Sequence, residues 1–187
     1  MIEEYTSSLQ KTISDFDVQD FYEIVDIIET AIERGNRIFI AGNGGNAATA
    51  SHITCDLQKS LNGVKIISLC DNMAIITAWS NDFDFNDAYA EEIARLAEKG
   101  DVFIALSASG TSTNMINAIE VASAHGVITL GISGALPDSR KVSPGNTLAV
   151  ITNHAFIIPS DDMQIIEDAT LILGHMIFRE LLKRQKY

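Results

Sequence analysis

Residues 37–57 read RIFIAGNGGNAATASHITCDL. An apolar run meets a loop of three glycines and two asparagines, and the chain continues beyond Asn46 without a strong breaker. An apolar run with little polar alternation is how a strand buried on both faces reads, so the segment is predicted to be a strand, a loop and a helix. Glycine at such a junction permits positive φ and lets a ligand approach the backbone closely. The unpaired amides at the start of the helix can then face an anion. A tight turn that is merely glycine-rich fits the same residues, and this loop alone leaves both readings open.

The same pattern repeats along the chain. Further apolar runs, VKIISLC (64–70), DVFIALS (101–107) and TLGIS (129–133), are separated by helical patterns over 46–60, 74–78 with 86–99, and 112–125. A fifth run, TLAVIT (147–152), follows the turn-rich insert GALPDSRKVSPGN (134–146). A leading helical pattern occupies 1–34, with Gly35 as its expected C-cap, and a last helix covers about 161–185. Strand–helix alternation predicts an α/β fold: a three-layer α/β/α sandwich around a five-stranded parallel sheet. A single domain over 1–187 is expected, and ligands in such sheets bind beyond the carboxyl ends of the strands.

Composition narrows the function classes. The 187 residues are 47% hydrophobic and 20% charged, enough for a packed core. Net charge is −12, from 25 acids against 13 bases, which argues against nucleic-acid binding but not against a small anionic substrate held by backbone amides. No apolar run reaches the ~20 residues of a membrane span. The N-terminus lacks the pattern of a signal peptide, so a cytoplasmic location is expected. Cys55 and Cys70 suggest no disulfide framework; they read as buried apolar filler, with a catalytic thiol as the alternative for either.

The second strand-end loop is SASGTSTN, Ser107 to Asn114. Ser107, Ser109, Thr111 and Ser112 exceed what capping one helix requires. Hydroxyls and amides converging on a helix start make a phosphate site that needs no lysine.

GNGGNAATASH (42–52) followed by ALSASGTSTNMINAIEVA (105–122) resembles the sugar-isomerase (SIS) domain superfamily, and within it the phosphoheptose isomerase group. The resemblance runs from the leading helix to the last one. It implies a flavodoxin-like SIS fold and interconversion of sedoheptulose 7-phosphate with a heptose 7-phosphate. By resemblance, Ser107, Ser109, Thr111 and Ser112 hold the phosphate, while Asn43, Gly44 and Asn46 line the sugar. Asn46 stands where many relatives have serine. The resemblance also implies a homotetramer with active sites at subunit interfaces, assembled in part through the 1–34 region. From the residues alone, that apolar stripe could equally pack back on its own sheet.

Moving a proton between neighbouring carbons needs a base and an acid. His52 and Asp56 are four apart on one helix face, and Glu167 and His175 are eight apart on the last helix. Glu167 and Asp168 could simply favour early helical turns, and a lone His on an apolar face is commonly structural. The resemblance implies instead a quartet of His, Glu, Gln and His that binds one zinc per site in several members. It maps to His52, Asp56, Glu167 and His175, with Asp56 as base, His175 as acid or proton shuttle, and His52 and Glu167 orienting these groups or ligating a metal. An alternative register through Gln164 would place Ile172 where the acid belongs. Two positions depart from the pattern. Asp56 is one methylene short, about 1.5 Å in reach, and Glu167 replaces an amide with a charge. Two imidazoles and two carboxylates suit zinc or another divalent ion. No nucleotide cofactor is expected.

Asp82 and Asp84, in WSNDFDFND (79–87), lie close to a family loop in which an Asp contacts the sugar, and also read as a solvated acidic loop. Lys59, Arg140 and Lys141 are candidate phosphate neutralisers, and His125 and His154 read as structural. The departures at Asp56 and Glu167 keep a second class open: a non-catalytic phosphosugar binder, or a protein like the replication-initiator-associating branch of the group. A regulatory amino-sugar phosphate binder would normally carry a DNA-binding domain, and this sequence shows none.

Overall fold

The computed structural model describes residues 1–135 and 147–185. Arg140 and Lys141 and most of the turn-rich insert lie outside the described residues. Two helices lead, α1 (Ile2–Ser14) and α2 (Val18–Glu33), then β1 (Arg37–Gly42), α3 (Gly45–Ser60), β2 (Lys65–Ser68) and α4 (Met73–Asp82). A 3-10 turn (Phe85–Asp87) precedes α5 (Ala88–Leu96). The chain continues through β3 (Val102–Leu106), α6 (Thr113–Ala124), β4 (Ile128–Gly134), α7 (Thr147–Ile151), β5 (His154–Ile158) and α8 (Met163–Arg184).

The five strands form one parallel sheet in the order β2-β1-β3-β4-β5. The strands β1, β3 and β4 are covered on both faces, which is why they read as unbroken apolar runs, whereas the edge strand β2 buries Ile66 and Ser68 and exposes Lys65 and Ile67. Ile38 and Ile40 join a core with α2, α3 and α8, whereas Phe39 and Ala41 join one with α5, α6 and Leu148 of α7. The three-layer α/β/α architecture follows directly.

Two expectations are corrected. The 1–34 pattern is two helices, because Asp17 Oδ1 accepts from the amides of Gln19 (2.8 Å) and Asp20 (3.0 Å) and starts a new helix there. Ile24, Val25, Ile28 and Ala31 of α2 pack back on the chain's own sheet. Residues 147–151 are helical, and the fifth strand is the next apolar run, pairing His154 with Leu130 through to Ile158 with Gly134. Leu148 needs that helix: it packs where a Cβ on Gly131 would lie 2.1 Å from its Cδ2. Short apolar runs do not reveal which of two neighbours is the strand.

α4 is apolar yet buries none of its residues, and Met73 and Phe83 are 64% and 71% exposed. Among the described residues, no helix is long and apolar enough to cross a membrane.

Candidate functional site

The chain leaves β1 for β2 on one side and β3 lies on the other, so the switch point of the sheet lies between β1 and β3. Their carboxyl ends are paired, Gly42 beside Leu106, which sets the two polar loops next to each other. A reciprocal amide pair joins them. Asn43 Nδ2 donates to Asn114 Oδ1 (2.9 Å), and Asn114 Nδ2 donates to Asn43 Oδ1 (2.8 Å). Tyr89 Oη donates to the Gly42 carbonyl from below (3.0 Å). Neither Asn114 nor Tyr89 was singled out from sequence. No spacing rule links position 43 to 114.

Gly44 caps α3 at φ +56° and offers no side-chain acceptor to its amides. At α6 the N-cap is Ser112, yet its hydroxyl does not cap; it faces Ser107 Oγ at 3.1 Å. Ser109 Oγ accepts from Thr111 N (3.2 Å) and Thr111 Oγ1 (3.1 Å). A cleft of about 160 Å³ opens here, and Asn43, Asn46, Ser107, Ser109, Ser112 and Glu167 are among the residues that line it. Asn46 is 4% exposed, and its Oδ1 has no hydrogen-bond partner among the described residues. An acceptor buried without a partner is costly unless a ligand donor meets it.

α3 and α8 approach closely because Gly174 presents no side chain to Ile53. A Cβ there would stand 2.5 Å from Ile53 Cδ1 and 2.7 Å from Cγ1. The residues next to this contact are His52 and His175, and their Nε2 atoms are 2.9 Å apart. Asp56 Oδ2 lies 3.4 Å from His52 Nε2 and 3.6 Å from His175 Nε2. Among the described residues these three side chains form a group able to hold a metal ion. Ligand atoms bonded at about 2.0–2.1 Å to a tetrahedral zinc stand roughly 3.4 Å apart, so this donor set fits. Three protein ligands also leave one position open, as catalytic sites do. His175 is no core histidine, since its side chain is 44% exposed.

Glu167 does not join the group. It sits two turns before His175, about 12 Å along α8, and its carboxylate presses on Gly45 at the start of α3. A Cβ on Gly45 would lie 2.7 Å from Glu167 Oε2. Helix geometry therefore divides the expected quartet into a triad and a cleft carboxylate. Asp82 lines a different cavity, between α4 and α5, and Asp84 caps the 3-10 turn through Asn86 N (2.8 Å). Lys59 is in the last turn of α3. His125 Nδ1 lies 2.8 Å from the Val121 carbonyl and His154 Nδ1 lies 3.5 Å from Glu23, both consistent with structural roles. Cys55 is exposed, contrary to the filler reading, and Cys70 is half-buried beneath Gly42.

Known proteins resemble this chain in sequence and fold. The SIS domain model matches residues 3–134, and the chain belongs to the SIS domain family. A phosphoheptose isomerase from Thermodesulfovibrio yellowstonii is 35% identical over 159 residues, covering 83% of this chain and 75% of that protein. One from Aquifex aeolicus is 32% identical over 163 residues, covering 85% and 81%. Within the SIS family the chain falls in the phosphoheptose isomerase group. The structure of a phosphoheptose isomerase from Francisella tularensis superposes with a TM-score of 0.86 over 98% of this chain and 96% of that one; at 22% identity it shows the common fold.

Proposed function

We propose that this protein is an aldose–ketose isomerase that converts sedoheptulose 7-phosphate to D-glycero-D-manno-heptose 7-phosphate through a cis-enediol. The observation that carries this is the meeting of His52, Asp56 and His175 on α3 and α8, about two helical turns from a hydroxyl-lined cleft. The relatives' names point the same way.

Ser107, Ser109, Thr111 and Ser112 hold the phosphate at the start of α6. Asn43, Gly44 and Asn46 flank the sugar, and the Asn46 Oδ1 acceptor receives a sugar hydroxyl. Glu167 accepts a second hydroxyl at the start of α3. Gly45 and His52 are seven residues apart, about 10 Å along the helix. An extended seven-carbon chain with a terminal phosphate spans roughly the same length, at about 1.5 Å per carbon–carbon bond before zigzag shortening. Phosphate in the cleft thus sets C1 and C2 beside the triad.

Asp56 takes a proton from C1 of the ketose, and the same proton is returned to C2. Oδ2 is the oxygen that faces both imidazoles, which leaves Oδ1 for this transfer. His175 protonates the C2 carbonyl oxygen as the enediol forms and relieves the C1 hydroxyl of its proton as the aldose forms. His52 orients the pair. His52, Asp56 and His175 would hold a divalent ion, zinc by its donor set, which supplies polarisation of the sugar's oxygens. In the assembled form we propose a cytoplasmic homotetramer, with sites at subunit contacts. Ile2 and Tyr5 of α1 and Val18 and Tyr22 of α2, all among the exposed large apolar residues, offer a surface for it.

Nuclear magnetic resonance of sedoheptulose 7-phosphate incubated with the protein tests the assignment, with and without chelator and added zinc. Aldose product that disappears in Asp56→Asn and His175→Gln is the expected result. No aldose under any metal condition would refute isomerisation. It would favour the non-catalytic reading, whose support is the separation of Glu167 from the triad.

A further inference from the structure

A cavity of about 320 Å³ lies between α4 and α5, lined by none of the cleft residues. Ile75, Ala78, Trp79, Phe83 and Leu96 make its walls. Its volume is that of a small-molecule site, and apolar walls with a few convergent polar groups are the usual make-up of one.

The polar groups decide what it takes. Glu92 lines the cavity, is 8% exposed, and its Oε2 has no hydrogen-bond partner among the described residues. Arg95 also lines it, stacked 4.5 Å above the Trp79 ring. Its charge is paired outside the cavity residues: Nη1 bonds the Glu91 carboxylate and donates to the Glu91 carbonyl at 2.8 Å. Asp82 adds a second carboxylate, which accepts from Asn81 Nδ2 (2.8 Å). With Arg95 neutralised by Glu91, the cavity is left with uncompensated negative charge, which disfavours an anion and so the phosphosugar itself. A buried carboxylate with an open acceptor is satisfied best by a charged N–H donor, and the walls require that donor to carry an apolar body.

We propose that the α4–α5 cavity binds an organic ammonium, a primary amine on a ring-sized apolar body, with Glu92 as its counter-ion. The site is separate from the phosphosugar cleft and does not depend on the isomerase reading. Burial raises the Glu92 carboxyl to about 7, so at pH 8 it is charged while an alkylamine remains protonated.

Trp79 is the chain's single tryptophan, so its emission reports this cavity directly. The full-length protein is titrated at pH 8 with 2-phenylethylamine, its neutral analogue 2-phenylethanol and the anion 3-phenylpropionate. The amine should give a saturable change and bind about tenfold or more tightly than the alcohol, as a charge-assisted hydrogen bond implies, with the anion weakest. In Glu92→Gln the amine and the alcohol should bind alike. No saturable change up to about 10 mM amine, equal binding of amine and alcohol to the unaltered protein, or a preference for amine that survives Glu92→Gln would each overturn the proposal. The three-probe comparison on the unaltered protein decides it even if the variant fails to fold.

Discussion

Replacing Glu92 by Gln should change how stability depends on pH, and the size of the change follows from the structure. Glu92 is buried, and desolvation lifts its carboxyl from the ordinary 4.5 to about 7. In the unfolded chain the group releases its proton near 4.5; in the folded chain it keeps the proton until about 7. Between those values unfolding releases a proton, so rising pH favours the unfolded state. The stabilisation is complete below 4.5 and is lost as pH passes 7. Arg95 is paired with Glu91, and burial pushes the neighbouring Tyr89 hydroxyl further up, away from this window. Integrating the linkage from pH 5.5 to 8 gives a loss of about 2 kcal/mol that the Gln variant lacks. That interval also avoids the isoelectric point near 4.6. For a chain of this length it amounts to roughly 4–8 °C in Tm. Urea melts of both proteins at fixed concentration, taken at pH 5.5, 6.5, 7.5 and 8, measure the difference directly. A stability gap between the two proteins that stays constant over this range would refute the claim that Glu92 is buried with a raised carboxyl.

Two other substitutions probe the geometry of the candidate site. Gly174→Ala would force α8 away from Ile53, costing about 1–3 kcal/mol in urea melts and spreading His52 from His175. The expected outcome is a fall in bound zinc and in turnover together, and a variant with unaltered metal content would contradict it. Asn114→Ala leaves the half-buried Asn43 amide without its two bonds, a cost of about 1 kcal/mol. The loop it anchors should then bind sugar phosphate more weakly, seen as a raised KM ahead of any change in kcat.

Much of the fold was written locally. Strands buried on both faces need apolar residues at nearly every position, so β1, β3 and β4 could be read directly, as could the polar loops that end β1 and β3. The hydroxyls of Ser107, Ser109 and Ser112 and the pairing of His52 with Asp56 were also within reach, because a loop and a helical turn are short-range objects. The break at Asp17 was available in principle as an N-cap, but the apolar period ran through it. The choice between residues 147–152 and 154–158 for the fifth strand was not available, because both runs are short and apolar and only packing on Gly131 separates them.

What needed the tertiary structure was every relation between distant residues. His52 and His175 are 123 positions apart, and nothing in either neighbourhood states that Gly174 lets their helices touch. Glu167 reads as a fourth partner of the triad, yet two turns of helix carry it to Gly45 instead. Asn43 and Asn114 meet because β1 and β3 are neighbours in the sheet. Glu92 looks like any surface glutamate of an amphipathic helix until α4 closes over it. Local sequence records whether a residue faces apolar or polar surroundings; which groups supply those surroundings is set by the order of the strands and the distance between helices.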